Sequence, residues 1–477
     1  MQTKNFLAGS QVNVRSSRRN FLRELSASAA FTIVPRHVLG GAGYIAPSDT
    51  VILAVIGAGS QGISDMKNLL QETDVRVAAI ADPAGSYTRR PNDPQNSAGR
   101  LPAARIVKDH YANIDPKSSV LCSEYRDFRI LLEKEKSVDA VLVATPDHVH
   151  AVAVMAAVKA GKHVFCEKPL GHTLYEVRQL TQAAREAKVA TQMGNQGHSG
   201  EGLRLTCEWI WDGAIGTVRE VHGFIRGEAY TELKRRPVEA LPVPDDLDWD
   251  LWLGPAPYRP FHSAYHPGLW RGWYDFGTGL FGDFACHHLD PAFSALQLGY
   301  PTSVEASICG PREETFPTAS LIYYDFPSRQ GMPPVKLYWY DGGLMPPTPE
   351  EMEPGRKLTR SNHGILFIGD KGKMLCGGWA GSPRLIPEKA MQEYQRPEKT
   401  LPRGKGHFRD WLDACKGGPP ASANFDNVGL MVEAVLMGNI SQRTGEKLYW
   451  DGPGMRCTNL AAANDFVNPP YRQGWSL

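Results

Sequence analysis

The chain has no surplus of charge. Its 52 Lys and Arg stand against 51 Asp and Glu, a net of +1 at pH 7, which removes the electrostatic case for a nucleic-acid or anionic-membrane partner. It has no Cys-x-x-Cys pair. Eight cysteines (Cys122, Cys166, Cys207, Cys286, Cys309, Cys376, Cys415 and Cys457) are scattered without metal-ligand spacing, so they read as buried, unpaired thiols, and a chain this long does not need a disulfide to hold its core. No internal repeat marks a solenoid or propeller. No apolar run is long enough to span a bilayer: the N-terminal stretch 21–34 is short and interrupted by Arg23 and Glu24. At 477 residues the chain exceeds one ordinary core, and two domains are expected. Eleven Trp and 17 Tyr serve either as core or as walls of a cleft for sugar rings.

What is present begins at the N-terminus. Ser17-Arg18-Arg19-Asn20-Phe21-Leu22, followed by a Ser/Ala-rich, weakly apolar run, reads as a twin-arginine export signal, although no Ala-x-Ala cleavage site is clear. Residues 1–43 are therefore assigned to signal peptide and arm, with a periplasmic or otherwise exported destination. The apolar run 51–56 then predicts a buried parallel strand, and it leads into Gly57-Ala58-Gly59-Ser60-Gln61-Gly62 and a helix over 63–71. A second strand over 75–81 ends in Asp82, which stands 20 positions beyond Gly62, where a carboxylate can accept both ribose hydroxyls of NAD. Asp82 would repel a ribose 2′-phosphate, and Arg89 and Arg90 lie in a Pro-, Asn- and Ser-rich stretch beyond it, so NAD is favoured over NADP.

Apolar runs alternate with helical patterns to about residue 170, as βαβ units do. Residues 83–101 read as a loop near the adenosine end of the cofactor, helices are expected over 103–113, 125–134 and 151–160, and strands over 138–144 and 163–166. The domain 44–172 is read as a doubly wound, NAD-binding sheet, completed by a helix over 174–187 and a strand over 189–193. Beyond it strands recur without alternating helices (218–225, 303–308, 319–326, 335–340, 365–368), which predicts an α+β domain over 173–455 with a large, open, predominantly antiparallel sheet. The Trp-, Pro- and Gly-rich stretch 228–279 reads as an ordered functional loop region. In the tail 456–477, residues 468–475 dock either on the body or on a neighbouring subunit.

Two further motifs carry chemistry. Glu167-Lys168-Pro169 falls at the carboxyl end of a strand, in the crevice where doubly wound sheets bind ligands. Lys168 there is either a base with a lowered pKa that takes a hydroxyl proton as hydride leaves, or a surface cation paired with Glu167. Asp283 and His287 lie four apart in a helical run expected to reach Leu298, so they share a face, and His287 can carry a proton with Asp283 orienting it or the substrate. A metal reading of Asp283, His287 and His288 lacks a third ligand of recognisable spacing, because His288 points elsewhere on the helix, and no metal is expected.

The ordered set Gly57-x-Gly59-x-x-Gly62, Asp82, Thr145-Pro146, His150, Glu167-Lys168-Pro169 and Asp283-x-x-x-His287 resembles the glucose-fructose oxidoreductase, inositol dehydrogenase and rhizopine catabolism (Gfo/Idh/MocA) family over about residues 50–450. The resemblance implies a Rossmann domain followed by an open sheet that builds the substrate site and often a homo-oligomer interface, of a dimer or tetramer. It implies Lys168 and His287 as the catalytic pair, Asp283 on substrate hydroxyls, and Thr145, Pro146, His150 and Glu167 along the cofactor with the glycine loop. Aromatics from Trp249 to Trp273 would lie on the substrate side. The expected activity is NAD-dependent hydride transfer at a ring carbon of a sugar or glycoside. The alternative is a glycosidase using transient oxidation and elimination on the same fold, against which the intact Lys168 argues. Because the twin-arginine route carries folded proteins, NAD is expected to travel tightly bound; residues 40–50 are an arm over it or a plain linker.

Overall fold

The computed structural model describes residues 49–88, 97–115 and 121–477. The twin-arginine segment, most of the arm, and Arg89 and Arg90 lie outside the described residues.

The first layer follows from apolar strands too short for helices. Strand β1 (Val51–Ile56) is buried at every position but Ile52 and leads through the glycine loop into α1 (Ser60–Leu69). There follow β2 (Val75–Ala81), the short pair β3 (Tyr87–Thr88) and β4 (Ser97–Ala98), α2 (Arg100–Ile114), β5 (Ser123–Tyr125), α3 (Phe128–Lys134), β6 (Ala140–Val143), α4 (Asp147–Lys159), β7 (His163–Cys166), α5 (Leu174–Ala187) and β8 (Thr191–Met193). Six of these strands form a parallel sheet in the order β5-β2-β1-β6-β7-β8, and β3 and β4 pair apart from it. Such a sheet is covered on both faces, which is why its strands are apolar runs and not alternating ones.

Local chemistry moves some boundaries from those expected. Tyr125 ends a strand instead of opening a helix, because the Asp127 carboxylate accepts from Arg129 N at 2.8 Å and starts α3 there. Helix α4 begins at Asp147, behind Pro146 in extended conformation, so His148 and His150 belong to its first turns. The stretch 83–101 holds β3 paired to β4, and its end is already α2.

The second layer comprises α6 (Glu201–Trp211), β9 (Val218–Ile225), α7 (Trp249–Leu253), α8 (Gly279–His288), α9 (Asp290–Leu296), β10 (Ser303–Cys309), β11 (Ala319–Phe326), β12 (Val335–Tyr340), β13 (His363–Gly369), β14 (Lys373–Gly377), β15 (Arg384–Ile386), α10 (Glu388–Glu393), α11 (His407–Cys415), α12 (Phe425–Thr444), β16 (Leu448–Asp451) and β17 (Arg456–Cys457). The nine strands run β15-β14-β13-β9-β12-β11-β10-β16-β17, antiparallel at every junction but β9 with β12. The expected helical run to Leu298 is two helices, since Pro291 in the first turn of α9 cannot continue the ladder of α8. Helix α12 is buried over most of its surface.

The stretch 228–279 folds on itself around stacked Trp249 and Trp252, 4.6 Å between ring centroids, with Trp273, Tyr265 and Phe276. It also grips the first domain: Gly85 N donates to Asp246 O at 2.7 Å, and Arg100 reaches the Asp246 carboxylate at 2.9 Å. The C-terminal segment docks on the body, where Tyr471 donates to Glu176 at 2.7 Å and Trp475 lies against Phe128 and Arg129. Among the described residues all eight cysteines are free, and no helix is long and apolar enough to cross a membrane.

Candidate active site

A cleft of about 500 Å³ opens at the carboxyl ends of β1, β2, β6 and β7, between them and the 228–279 stretch with α8. Its floor is the glycine loop. Gly57 holds φ +91°, and a Cβ on it would lie 2.6 Å from the Ala144 backbone. A Cβ on Gly62 would lie 2.1 Å from Gly57 O, so both positions require glycine. Above Gly59 the nearest atom to an added Cβ is the Tyr87 hydroxyl at 3.4 Å, leaving that side open toward the cleft. Helix α1 starts there with no side-chain cap, so its first N–H groups are available to a pyrophosphate. Ser60 and Gln61 line the same floor.

Asp82 sits at the end of β2, buried. Its two oxygens accept from Ala58 N at 2.7 Å and Ala84 N at 2.8 Å. Each carboxylate oxygen keeps a second lone pair, so ribose hydroxyls can still donate to it. Burial pushes its pKa up to about 6, against the pull of the two amides. The residues fit a dinucleotide: a loop without Cβ bulk, an uncapped helix start, and a carboxylate at the second strand end.

Thr145, Pro146 and His150 also line the cleft. The His150 ring nitrogens lie 2.7 Å from Pro169 O and 2.9 Å from Thr145 O, tying the loops after β6 and β7 together. Glu167 is buried, accepting from Gln196 Nε2 at 3.3 Å and from Lys168 N at 3.2 Å. It shares a hydrogen bond with buried Asp65; burial, with each carboxyl beside the other, raises Glu167 well above its usual range, and burial raises Asp65 to about 7. The pair therefore retains a proton at neutral pH.

Lys168 projects from this corner onto α8. Its Nζ donates to Asp283 O at 3.0 Å and to the Asp283 carboxylate. Tyr230 OH donates to the other carboxylate oxygen, and Arg271 Nε stands 3.7 Å away. The protein groups around Lys168 do not by themselves lower its pKa. Burial alone would lower it, but the charges of Asp283 and Glu167 and the Asp283 hydrogen bond together raise it. Burial opposes ionisation of Asp283, yet Lys168, Arg271 and Tyr230 hold that carboxyl well below its usual range.

Of the two roles that the helical spacing allows Asp283, orienting His287 is not the one this geometry makes: no hydrogen bond joins the two side chains among the described residues. The carboxylate is occupied by Lys168 and Tyr230, while His287 lies one turn further along α8, 5% exposed, with its ring centroid 5.5 Å from that of Trp379. Its Nδ1 is buried without a hydrogen-bond partner among the described residues, and burial lowers its pKa well below the usual value. His288 bonds to His363 at 2.9 Å. Of the tryptophans expected on the substrate side, Trp252 and Trp270 line the cleft, whereas Trp249 and Trp273 are buried in the loop core. Tyr230, Arg271 and Asp65 were not singled out by motif; Tyr230 and Arg271 lie in the 228–279 stretch, whose composition was the available signal.

The N-terminal part matches the model of an oxidoreductase family, NAD-binding Rossmann fold, over residues 51–195, and the second sheet matches that family's C-terminal alpha/beta domain over 216–320, together more than half of the chain. The chain belongs to the Gfo/Idh/MocA oxidoreductase family. Like its family, it carries an NAD-binding Rossmann domain. Its relatives include the 1,5-anhydro-D-fructose reductase of Ensifer adhaerens, 30% identical over 160 residues (33% of this chain, 37% of that one). Others are the levoglucosan dehydrogenase of Pseudarthrobacter phenanthrenivorans, 31% over 166 residues (35% of each), and a glycosyl hydrolase family 109 protein of Stenotrophomonas maltophilia, 30% over 211 residues (41% and 42%). The chain thus spans only 35–42% of the length of these relatives. The fold is shared with the WlbA dehydrogenase of Bordetella pertussis, solved with NADH and UDP-GlcNAcA, at 16% identity and TM-score 0.54 over 84% of this chain and 99% of that one.

Because Asp82 has a pKa of about 6, NAD affinity is expected to be constant above pH 7. It falls by up to about tenfold per unit as the pH drops through 6 and the carboxylate becomes a donor. Titration calorimetry checks this, and Asp82→Asn should bind more weakly with a flatter profile. A wild-type affinity unchanged between pH 8 and 5 contradicts the assignment.

Proposed function

We propose that the protein is an exported, NAD-dependent oxidoreductase moving hydride between nicotinamide C4 and a hydroxyl-bearing ring carbon of a sugar or glycoside. The observation that carries this reading is Lys168, an ammonium in the dinucleotide cleft where Asp283, Tyr230 and Arg271 converge. Bound NAD would supply the hydride acceptor or donor. The residues do the rest. With its pKa raised, Lys168 is a cation at neutral pH, so it is poised to donate a proton to a carbonyl oxygen as that carbon is reduced. In the opposite direction the sugar hydroxyl must give its proton to a neutral amine, so Lys168 must first lose its own. Arg271 presents donors to sugar oxygens, the Tyr230 oxygen, its one proton given to Asp283, accepts from a sugar hydroxyl, and Asp283 accepts from another while holding the ammonium in place. Trp252 and Trp270 add apolar surface to the lining of the cleft. The names of two relatives, a reductase and a dehydrogenase of anhydrosugars, support the substrate class.

A second reading has its own support. The glycosyl hydrolase family 109 relative, and a 2,7-anhydro-N-acetylneuraminate hydratase of Escherichia coli 35% identical over 91 residues, favour elimination chemistry begun by transient oxidation. Incubation with aryl glycosides separates the two: keto-glycoside formed with reduction of the bound NAD, one equivalent per protein until an added carbonyl acceptor reoxidises it, supports net oxidation, and free aglycone without net NADH overturns it.

Under the oxidoreductase reading, kcat/KM for oxidation rises by up to about tenfold per pH unit between pH 7 and 9, while that for reduction is flat there. Lys168→Ala loses about 10²–10⁴-fold and the pH dependence with it. A pH-independent wild-type oxidation rate would remove Lys168 from proton transfer.

Export rests on residues 17–22, and retained NAD follows from a route that carries folded proteins. Fractionation of the native host should find the protein in the periplasm with NAD released only on denaturation. Replacing Arg18 and Arg19 by Lys should leave it in the cytoplasm, and an unchanged distribution contradicts the route.

A further inference from the structure

Asp147 is a carboxylate of the cleft to which the hydride-transfer chemistry gives no task. It opens α4, where a negative charge meets the positive end of the helix dipole, and it lines the cleft with Thr145, Pro146, Lys168 and Asp283. The residue is 6% exposed. Its Oδ2 accepts from Thr278 Oγ1 at 2.7 Å, the residue just before α8 in the second domain. Its Oδ1 has no protein partner among the described residues, and no lysine or arginine there pairs with it. A nearly buried acceptor left open is costly unless what enters the cleft donates to it.

The charges around it limit what can enter. The charged groups lining the cleft are Asp82, Asp147, Glu167, Lys168, Arg271 and Asp283. Asp82 lies at the ribose end, and Glu167 shares a proton with Asp65 behind Lys168. At the reacting end two cations therefore face two carboxylates. Lys168 and Arg271 both lean on Asp283, and the charge of Arg271 reaches Asp147 as well. Burial, and then the charge of Asp283, raises Asp147 to about 6 against the pull of Thr278 and Arg271, so above pH 7 it is a carboxylate. Both cations are already matched before a ligand arrives.

We infer that Asp147 is a specificity-determining residue, which accepts a hydroxyl of an uncharged sugar and disfavours a sugar carrying a carboxylate. The inference rests on the hydride-transfer reading only in placing a sugar in this cleft. A neutral sugar brings the donor that Oδ1 lacks. A uronate adds a third negative charge beside Asp147 and Asp283 with no cation left to match it, in a cleft where charges are poorly screened.

The test is calorimetry at pH 8 and low salt on the full-length protein loaded with NADH, whose nicotinamide is uncharged and cannot accept hydride. The probes are the methyl β-glycosides of glucose, galactose and mannose, each beside its uronic acid, which differs only at C6. In every pair that binds, the neutral sugar is expected to bind at least about tenfold more tightly than the uronate. Asp147→Asn, which keeps the shape and removes the charge, should bring that ratio to within about threefold of one while far-UV dichroism shows the fold retained. Thr278→Val removes the bond to Oδ2 but leaves the charge, and it should keep the ratio, which a merely structural role for Asp147 would not. A uronate bound as tightly as its neutral partner, a ratio unmoved by Asp147→Asn, or one lost equally in Thr278→Val overturns the inference and leaves hydride transfer standing. Binding by none of the six sugars overturns the sugar reading on which it rests.

Discussion

The Lys168 to Asp283 ion pair is the constraint on which the candidate site depends. It joins the carboxyl end of β7 in the Rossmann sheet to α8 of the second domain, and it is the point at which the two layers meet inside the cleft. Asp283 also takes the Tyr230 hydroxyl and faces Arg271, so one carboxylate organises three donors aimed at the same space. Removing it would leave a partly buried ammonium without its counter-charge, a cost of the order of 3–5 kcal/mol for a buried pair. The pair also sets which direction requires the lysine to lose its proton first. A lysine held protonated is a donor first, and in the proposed reaction it favours reduction of a carbonyl unless the pH or a neighbouring positive charge draws its proton away.

Around this pair, the remaining polar groups are arranged to keep loops in place. Asp82 ties Ala58 and Ala84 to the end of β2, and His150 ties the loops after β6 and β7. The 228–279 stretch closes the cleft from above through Asp246 and its own aromatic core. Asp65 and Glu167 retain a proton between them behind Lys168, so the pair places one negative charge and not two beside the ammonium.

Much of the dinucleotide half was legible from sequence, because each part is a local signal at a strand end: glycines without room for a Cβ, Asp82 after β2, Lys168 after β7. The antiparallel strands of the second sheet were legible from apolar runs. Helix α12 was not, because it is apolar around nearly its whole circumference and offers no amphipathic stripe to read. The partnership of Asp283 was also hidden. Helical spacing placed His287 on the same face, but a lysine 115 positions earlier in the chain claims the carboxylate, and only tertiary structure brings it there. Tyr230 and Arg271 reach the cleft from a loop with no periodicity, where composition marked the region and could not mark the residues.

The most direct measurement is the titration of Lys168 itself, by NMR of the protein carrying labelled lysine, with Lys168→Arg to assign the signal and with NAD removed. The account predicts that Lys168 stays protonated beyond the usual lysine pKa of about 10.4, and that Asp283→Asn brings the midpoint down below it as burial takes over. A wild-type midpoint near neutral pH, or one unmoved by Asp283→Asn, would contradict the claim that this ion pair governs the site.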